Sequence, residues 1–440
     1  MNNKKWMAIL LGGIMAASLA APCSVSAAEK TTLTFWHAMG GTNGEVLQQI
    51  VDDFNASQDE IEIKAEYQGT YDDTITKLKA AMQSDSGLPD VCQMYDVGTK
   101  FMYDSGAVIP VEDKFESTGY DKSSVMEVIS SYYTVDGKQY AMPFNVSTPM
   151  LYYNKDVFEA AGLDPETPPT TYDEVLEDAK KIVESGAAPV GYSQAIYGWF
   201  FEQQLAGLGV TYGNNDNGRK EAVTAVDFDS NGGGLKVFDM WKKLYDSGYF
   251  EDYGTTTADT QTAFFSGQVG MIIESTAILK NAVDSSPFEV GTGYLPRIEQ
   301  NDEGGVIIGG GSLWLTDTGN EANEDAAWKF IEYITTPDVQ AKWSMGTGYF
   351  AINEKAYETE DMKAYLKENP NFETAINQLK DSPVNCNTAR VLSGVQTEAR
   401  LTFNEIMPQV YDGKLTTQDA VDQLAASVNK AIENYNESIK

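Results

Sequence analysis

The chain has 440 residues, 42% of them hydrophobic and 22% charged, which is the composition of a folded protein of two or three domains. The 31 basic and 65 acidic residues give a net charge of −34. This charge argues against nucleic acid and anionic membrane surfaces as partners, because both attract clustered positive charge. The single histidine, His37, excludes most imidazole catalysis and most zinc sites, and we expect neither a metal nor a cofactor.

Residues 1–27 have the pattern of a signal peptide. Two lysines precede an apolar segment, residues 6–21, which is too short to span a bilayer. Val25-Ser26-Ala27 has the small-x-small form of a signal-peptidase site. We therefore expect cleavage after Ala27 and a soluble, extracytoplasmic mature protein.

Lipidation of Cys23 is the less favoured alternative for the N-terminus. Lipoprotein signals prefer leucine and a small residue near the cysteine, where this chain has Ala20 and Pro22. Two further cysteines, Cys92 and Cys386, remain after cleavage. An oxidising compartment permits a disulfide between them, but a chain of this length does not need one, so the pairing stays open.

The first part of the chain alternates strands and helices. Hydrophobic periodicity predicts strands at residues 32–36, 60–67 and 89–95, and helices around residues 46–54 and 75–82. The third strand is apolar throughout, which is typical of a buried parallel strand. This β-α-β-α-β order predicts a doubly wound sheet with right-handed crossovers.

The rest of the chain continues as a mixture of strands and helices. Asp136-Gly137 predicts a hairpin turn, residues 150–153 a strand, and Asn154 the start of a helix. Thr171 and Glu174 form a capping box. Further helices are predicted at residues 235–244, 257–265, 324–334, 337–343 and from 416 to the C-terminus. The pattern fits two α/β lobes, with a ligand crevice at the carboxyl ends of the strands.

The sequence contains few signs of a catalytic site. His37 has no nucleophile or carboxylate partner nearby in the sequence, which favours a structural role. Neither a G-x-S-x-G nor an H-E-x-x-H motif is present. Paired carboxylates of a secreted glycoside hydrolase stay an alternative, since 65 acidic residues cannot be sorted by spacing.

Aromatic residues occur together with Gly, Ser and Asn in several predicted loops. Such loops are typical of sites for polar small molecules, where flat rings and hydroxyls contact sugar-like faces. The groups are Tyr67 with Tyr71, Tyr192 with Tyr197 and Trp199, and Tyr349 with Phe350.

Several segments resemble bacterial extracellular solute-binding proteins of ATP-driven importers. The general ones are Phe35-Trp36-His37, residues 54–58, Tyr67-Gln68-Gly69-Thr70-Tyr71, Tyr152-Tyr153-Asn154-Lys155-Asp156 and Ala161-Gly162-Leu163-Asp164-Pro165. Narrower ones are similar to the glycerol-3-phosphate-binding members: Tyr95-Asp96-Val97-Gly98-Thr99, Pro143-Phe144-Asn145-Val146-Ser147-Thr148-Pro149, Ile307-Ile308-Gly309-Gly310-Gly311-Ser312-Leu313-Trp314 and Thr347-Gly348-Tyr349. The resemblance covers nearly the whole mature chain.

The resemblance implies an α/β, two-lobe periplasmic-binding-protein fold, in which each lobe is a sheet flanked by helices and the ligand cleft lies between the lobes. We expect residues 28–140 and about 303–345 in lobe 1, and about 141–302 and 346–440 in lobe 2. It also implies a hinge motion that closes the lobes on the ligand.

The resemblance carries over ligand contacts by motif. The implied contacts are Tyr71, Asp96, Ser147, Ser275, Gly310, Tyr349 and Arg400, and three further candidates are Ile196, Tyr197 and Trp199. Arg400 is the less certain match, because its spacing from the upstream Arg390 differs, and Arg390 is the next candidate. No catalytic or metal-binding residue is implied.

The implied contacts suit an anionic polyol. Arg400 offers a planar fork to phosphate oxygens, while Asp96 and Tyr71 accept from and donate to vicinal hydroxyls. Two departures from better-known members matter: Asp96 replaces a glutamate and Ile196 a tryptophan. Both leave space for a larger glycerophosphodiester, with Tyr197 and Trp199 beside a choline-like cation.

The expected function is therefore ligand capture without catalysis. The ligand is glycerol 3-phosphate or a glycerophosphodiester such as glycerophosphocholine, and the macromolecular partner is a membrane permease. A sugar or oligosaccharide receptor of the same fold is the alternative. We expect a monomer.

Overall fold

The computed structural model describes residues 30–84 and 87–440. The predicted signal peptide and Cys23 lie outside these ranges.

Twelve strands are present in the described part of the chain. They are β1 (Thr31–His37), β2 (Ile61–Tyr67), β3 (Val91–Tyr95), β4 (Val108–Ile109), β5 (Thr134–Val135), β6 (Lys138–Gln139), β7 (Met142–Ser147), β8 (Pro149–Asn154), β9 (Val190–Ser193), β10 (Val269–Ser275), β11 (Val290–Gly293) and β12 (Gly309–Thr316).

Helices surround these strands. They are α1 (Gly41–Ser57), α2 (Tyr71–Met82), α3 (Thr99–Ser105), α4 (Val111–Thr118), α5 (Glu127–Ser130), α6 (Lys155–Ala160), α7 (Tyr172–Ser185), α8 (Gly198–Gly207), α9 (Asn214–Gly218), α10 (Gly233–Asp246), α11 (Thr257–Phe265), α12 (Leu279–Ser285), α13 (Glu321–Ile334), α14 (Pro337–Thr347), α15 (Glu360–Glu368), α16 (Asn371–Asp381), α17 (Gln396–Tyr411) and α18 (Thr417–Ser438).

The larger sheet has the order β2-β1-β3-β12-β4, and β7 also pairs with β12. The first three strands are parallel, which confirms the predicted β-α-β-α-β unit. β12 is antiparallel to β3, β4 and β7. The sheet is thus mixed, because a strand from late in the chain completes it.

The smaller sheet has the order β11-β8-β10-β9. β8 is antiparallel to β10 and β11, and β9 is parallel to β10. The predicted hairpin at Asp136-Gly137 forms as β5 and β6, with both turn residues at positive φ.

Side-chain caps fix several helix starts where the sequence predicted them. Thr171 and Glu174 make both bonds of the capping box at α7, and Asn154 accepts from the Val157 amide at α6. The apolar stripe of α18 is buried as predicted; its residues are Val421, Leu424, Val428 and Ile432.

Two large hydrophobic cores hold the sheets. The first packs both faces of the larger sheet and one face of the smaller sheet, and includes Leu33, Phe35 and Ile272. The second covers the other face of the smaller sheet under α7, α8, α10, α17 and α18, and includes Leu151 and Phe403. The protein is therefore two α/β lobes with a cleft between them.

The chain crosses from the larger to the smaller sheet at the β7–β8 junction, which lies beside the end of β10. There the Thr148 amide donates to Thr276 Oγ1 at 3.2 Å, and the Thr276 amide donates to the Thr148 carbonyl at 2.8 Å. We call this contact between the β7–β8 junction and the end of β10 the hinge.

The predicted lobe boundaries differ from the strand pairing at two places. Residues 142–147 were assigned to lobe 2, but β7 pairs with β12 in the larger sheet. Residues 346–352 were also assigned to lobe 2, but the Phe350 amide donates to the Val146 carbonyl at 3.0 Å. We propose that the boundary falls after Ser147 and that the segment following α14 belongs with lobe 1.

Candidate functional site

The lobe 1 side of the cleft, which we call the first wall, begins with two stacked tyrosines. Tyr71 is the first residue of α2, whose start is fixed by the Thr70 and Asp73 capping box. Its ring lies flat on Tyr95 at the end of β3, with 4.4 Å between centroids and 6° between planes. Asn145 Nδ2 donates to Tyr71 Oη at 2.6 Å. The first wall thus offers a fixed aromatic platform with hydroxyls at its edge.

Asp96 follows Tyr95 and is 1% exposed. Its carbonyl accepts from Tyr132 Oη at 2.6 Å and from Thr99 Oγ1 at 2.8 Å. These bonds fix the backbone of Asp96, and its carboxylate lies 2.9 Å from Arg390 Nη1.

Gly310 lies behind the first wall in β12. Its φ is +93°, and a Cβ there would lie 1.8 Å from the Asn145 carbonyl oxygen. The close approach of β7 therefore requires glycine at this position. Because Asn145 also holds Tyr71, Gly310 acts on the platform through the backbone.

Tyr349 completes the first wall. Its ring is stacked on Trp343, with 5.7 Å between centroids and 4° between planes. Its hydroxyl interacts with Asn145 and Tyr71, and burial raises the pKa of the Tyr349 phenol, which keeps it neutral.

The lobe 2 side of the cleft, which we call the second wall, is made by α8 and α17. These helices pack closely: a Cβ on Gly198 would lie 2.6 Å from Arg400 Cα. Asn404 Oδ1 accepts from the Gly198 amide at 2.9 Å. This packing places Glu202 of α8 beside Arg400 of α17.

Two arginines and two acids form a buried charge network. Arg400 Nε and Nη2 donate to the two oxygens of Glu202 at 2.8 and 3.0 Å. Arg390 Nη2 lies 2.8 Å from Glu202 Oε2, and its Nη1 lies 2.9 Å from Asp96 Oδ1. Arg400 Nη1 lies 3.7 Å from the same Asp96 oxygen. All four side chains are at most 6% exposed.

The arginines keep Glu202 ionised. Burial raises the pKa of the Glu202 carboxyl, but Arg390 and Arg400 outweigh it, and the pKa ends below the usual value. Burial disfavours the charge on Arg400, yet Glu202 and neighbouring groups raise the pKa of its guanidinium well above normal. Glu202 and Arg400 are therefore both charged throughout the physiological pH range.

A third arginine supports the network from behind. Arg219 donates to the carbonyls of Ala389, Arg390 and Tyr132. The guanidinium carbons of Arg219 and Arg390 lie 5.2 and 5.6 Å from the centroid of the Tyr132 ring. Burial lowers the pKa of Arg219 to about 10, so it too is charged at neutral pH.

The two walls touch directly. Tyr95 Oη and Tyr197 Oη are 2.8 Å apart, and Arg400 Nη1 donates to Tyr95 Oη at 2.6 Å. With the ion pair of Asp96 and Arg390, these contacts join the lobes at the site.

Several buried polar atoms near these contacts have no hydrogen-bond partner in the described part of the chain. They are both carboxylate oxygens of Asp96, Nε, Nη1 and Nη2 of Arg390, Trp199 Nε1 and Gln396 Oε1. The ion pairs of Arg390 thus lack hydrogen-bond alignment. An unsatisfied buried group costs about 1–3 kcal/mol, so this concentration of unpaired donors and acceptors makes the lobe contact the candidate site.

The two serines implied by the resemblance lie at the hinge. Ser147 is 4% exposed and lies opposite Gly309 in the antiparallel pairing of β7 with β12. Ser275 ends β10, and its Oγ accepts from the Ala277 amide at 3.1 Å. Both therefore lie beside the crossing between the two sheets.

The structure separates the three further candidates. Tyr197 and Trp199 lie at the cleft, where Trp199 packs on Gly309, and a Cβ on that glycine would lie 2.7 Å from the indole. Ile196 is fully buried in the second hydrophobic core. Its amide donates to the Gly254 carbonyl at 2.9 Å, so this residue is held as part of the core.

The aromatic loop groups also divide. Tyr192 is fully buried in the second core, and Phe350 is 3% exposed in the first. Tyr67 is 58% exposed at the end of β2. The residues that line the cleft are Tyr71, Tyr197, Trp199 and Tyr349.

The sequence reading missed Glu202, Asn145 as a support of Tyr71, and the role of Arg219. One signal was available for Glu202: it is an acid inside the strongly apolar segment Trp199-Phe200-Phe201-Glu202. A charge there needs a buried partner.

Other candidates have structural explanations. His37 is 6% exposed, its Nδ1 accepts from the Met39 amide at 3.2 Å, and burial lowers the pKa of its imidazole to about 4. Cys92 and Cys386 are both free thiols. Across residues 30–84 and 87–440, no cluster of His, Cys, Asp and Glu could hold a metal ion. No helix in the same ranges combines the length and apolar character needed to cross a membrane.

Comparison with known families is consistent with this geometry. Residues 49–374 match the family described as bacterial extracellular solute-binding protein. The sn-glycerol-3-phosphate-binding periplasmic protein UgpB of Escherichia coli (strain K12) is 30% identical over 417 residues, which cover 93% of this chain and 94% of that protein.

Solved structures share the fold. A cyclic α-maltosyl-1,6-maltose-binding protein from Arthrobacter globiformis has a TM-score of 0.76 and 26% identity, and covers 92% of this chain and 100% of its own. UgpB from Mycobacterium tuberculosis, in complex with glycerophosphocholine, has a TM-score of 0.79 and 20% identity, and covers 92% of this chain and 99% of its own.

The family match spans more than half of the chain, and the relatives are aligned over nearly their full length. They are binding components of transport and not enzymes, which removes the glycoside-hydrolase alternative. The chain belongs to the bacterial extracellular solute-binding proteins, the extracytoplasmic substrate-binding subunits of ATP-driven importers.

Proposed function

We propose that this subunit captures glycerol 3-phosphate or a glycerophosphodiester, such as glycerophosphocholine, by closing its lobes on the ligand. One observation carries the proposal: Arg390 and Arg400 are buried at the lobe contact, beside an aromatic platform that carries hydroxyls. Arginine forks bind phosphate oxygens in a bidentate geometry, and such charge-assisted bonds are the strong ones.

The two walls would divide the ligand between them. Arg400 and Arg390 would bind the phosphate, whereas Tyr71, Tyr349 and Asp96 would bind the glycerol hydroxyls. Ser147 and Ser275 would add donors at the hinge, and the Gly310 amide would add one from β12. The relatives named for glycerol 3-phosphate and glycerophosphocholine support this ligand class.

A sugar or oligosaccharide is the second candidate ligand. The stacked Tyr71 and Tyr95 rings are suited to a sugar face, and a structural relative binds a cyclic maltose derivative. A neutral sugar, however, would add no anion to the site, where Asp96 and Glu202 provide two negative charges for the three arginines.

A calorimetric comparison tests the proposal. Glycerol 3-phosphate, glycerophosphocholine, glycerol and maltotriose are titrated into the purified mature protein. We expect both phosphate compounds to bind and glycerol to bind at least 100-fold more weakly, because charge-assisted bonds contribute about 1.5–3 kcal/mol each. Tight binding of maltotriose without binding of either phosphate compound would establish the sugar alternative.

A further inference from the structure

We propose that Glu202 determines which phosphate charge the site accepts, so that a phosphate group with one negative charge is preferred over a dianionic monoester. This inference rests on the proposed function, since it assumes that phosphate binds at Arg390 and Arg400. It assigns a specificity role to a side chain that need not touch the ligand.

Glu202 occupies one hydrogen-bonding edge of the Arg400 guanidinium group. A guanidinium presents five N–H donors on two edges. Glu202 takes the Nε and Nη2 edge with bonds of 2.8 and 3.0 Å. Nη1 donates to Tyr95 Oη. A phosphate can therefore reach Arg400 only at the remaining edge, formed by Nη1 and Nη2.

The same carboxylate also serves Arg390. Its Oε2 lies 2.8 Å from Arg390 Nη2, whereas Asp96 lies 2.9 Å from Arg390 Nη1. Glu202 thus neutralises charge on both phosphate-binding arginines. It is 4% exposed, so water does little to screen this effect.

The formal charges of the site add up to a net charge of +1. Arg219, Arg390 and Arg400 contribute three positive charges, and Asp96 and Glu202 contribute two negative charges. One phosphodiester anion would balance the remainder, and the choline cation of glycerophosphocholine would lie outside the arginine network, against the ring of Trp199. A dianionic phosphate would leave one negative charge uncompensated in a buried site, which is costly.

The first test changes the charge of the site. Glu202→Gln keeps the side-chain size and removes one negative charge, so the remainder becomes two positive charges. At pH 8 glycerol 3-phosphate is a dianion, since its second ionisation falls near pH 6. We expect the wild type to prefer glycerophosphocholine at pH 8, and Glu202→Gln to shift the ratio of the two Kd values at least 10-fold toward glycerol 3-phosphate.

A matched control separates local from overall charge. Glu184 is an exposed residue of α7 whose carboxylate accepts from Tyr249 Oη at 3.0 Å. Glu184→Gln removes the same charge from the protein surface, and we expect it to leave the Kd ratio unchanged.

The second test changes the ligand charge and uses the wild type, so it is independent of whether Glu202→Gln folds. Lowering the pH from 8 to 5 adds a proton to glycerol 3-phosphate but not to the diester. We expect the Kd ratio to move at least 5-fold toward the monoester. The charged and titratable groups at or beside the proposed phosphate site are Asp96, Glu202, the three arginines and the tyrosines Tyr71, Tyr95, Tyr197 and Tyr349. Both ligands would contact the same protein groups. A change in the protonation of these groups therefore affects both Kd values alike and largely cancels in the ratio of the two Kd values.

The outcomes distinguish this inference from the proposed function. If neither phosphate compound binds the wild type, the proposed function fails. If both bind, the Glu202 inference is overturned by a wild-type preference for the monoester at pH 8, or by a ratio that changes less than 2-fold in both tests. Where Glu202→Gln does not fold, the pH series alone decides.

Discussion

The two walls of the cleft differ in chemistry although they face each other across the same lobe contact. The first wall is mostly neutral: Tyr71 and Tyr95 are stacked, and Asn145 holds Tyr71 in place. The second wall is charged, with Glu202 holding Arg400 and Arg390. Neutral hydroxyls and amides suit a polyol, and guanidinium groups suit a phosphate.

The walls also differ in how they are made rigid. The first wall depends on close backbone packing between β7 and β12, whereas the second depends on ion pairs between α8 and α17. We therefore expect substitutions behind the first wall to affect folding, and substitutions in the second wall to affect phosphate binding more than folding.

The largest expected effect comes from Gly310→Ala, which tests the packing behind the first wall. The added Cβ would lie 1.8 Å from the Asn145 carbonyl oxygen, at a φ of +93°. Overpacking and backbone strain together should lower the free energy of unfolding by about 3–4 kcal/mol. Urea denaturation measures this change.

Gly413→Ala is the matched control, because its φ is +68° and an added Cβ meets no atom within 4 Å. Only the left-handed backbone penalty applies there, about 1–2 kcal/mol. Equal losses for the two variants would show that close packing at Gly310 is unimportant.

Arg400→Lys tests the phosphate contact of the second wall. An ammonium cannot keep the bidentate bond to Glu202 and also reach a phosphate. Affinity for glycerol 3-phosphate and glycerophosphocholine should fall roughly 100-fold, the equivalent of about 2.7 kcal/mol. Calorimetry measures this loss, and unchanged affinity would make Arg390 the principal phosphate contact.

Arg297→Lys is the control for this substitution. Arg297 is exposed and lies in the segment between β11 and β12, where its backbone pairs with Thr170 and Tyr172. The same change of head group there should leave affinity unaltered.

A second comparison concerns two buried glutamates. Glu202 is paired with arginines, and the pKa of its carboxyl is lowered. Glu274 lies near the end of β10, and within residues 30–84 and 87–440 its carboxylate accepts only from Gln261 Nε2 and the Ser275 amide. Burial without a cation raises the pKa of Glu274 to about 7. The cation partner therefore decides which buried carboxyl is charged.

Glu274→Gln tests this difference through the pH dependence of stability. The folded protein holds the Glu274 proton up to about pH 7, whereas the unfolded chain releases it near 4.5. The wild type therefore loses stability from this group as pH rises between these values, and the variant does not. At pH 8 the variant should be about 3 kcal/mol more stable than the wild type, and at pH 4.5 nearly equal.

Thermal unfolding of both proteins at pH 4.5, 6 and 8 measures this difference. The stability of the variant must be compared with that of the wild type at each pH. His37, whose pKa is lowered to about 4, contributes a pH dependence of the opposite sign in both proteins. A constant difference at all three pH values would contradict the raised pKa of Glu274.

The fold was largely predictable because its signals are local. The alternating apolar residues of β1 and β2, the capping box at Thr171 and the stripe of α18 are all short-range patterns, and the structure has them where predicted. The position of β7 in the larger sheet was not predicted, because strand pairing across more than 150 residues leaves no periodicity in the sequence. β12 was assigned to lobe 1, but only through the family resemblance.

The site was predictable in part, through motif resemblance rather than through spacing. Tyr71, Asp96, Tyr349 and Arg400 do lie together at the lobe contact. The placement of Ile196 in the core and the pairing of Glu202 with two arginines depend on how helices pack, which the sequence does not state. Because Ile196 is buried in the core, the proposed preference for a diester depends on the charge balance set by Glu202 and not on space beside Ile196.

The smallest expected effect comes from Tyr71→Phe, which sharpens the comparison between the walls. The substitution keeps the stack on Tyr95 but removes the acceptor of the Asn145 bond and one hydroxyl contact to the polyol. Affinity should fall about 5-fold, close to 1 kcal/mol for one neutral hydrogen bond. Tyr67→Phe, at an exposed tyrosine, should leave affinity unchanged. Because the first wall would bind the glycerol part that both ligands share, glycerol 3-phosphate and glycerophosphocholine should weaken equally in calorimetry. A loss confined to one of them would mean that Tyr71 also senses the phosphate, and that the two walls do not divide the ligand as proposed.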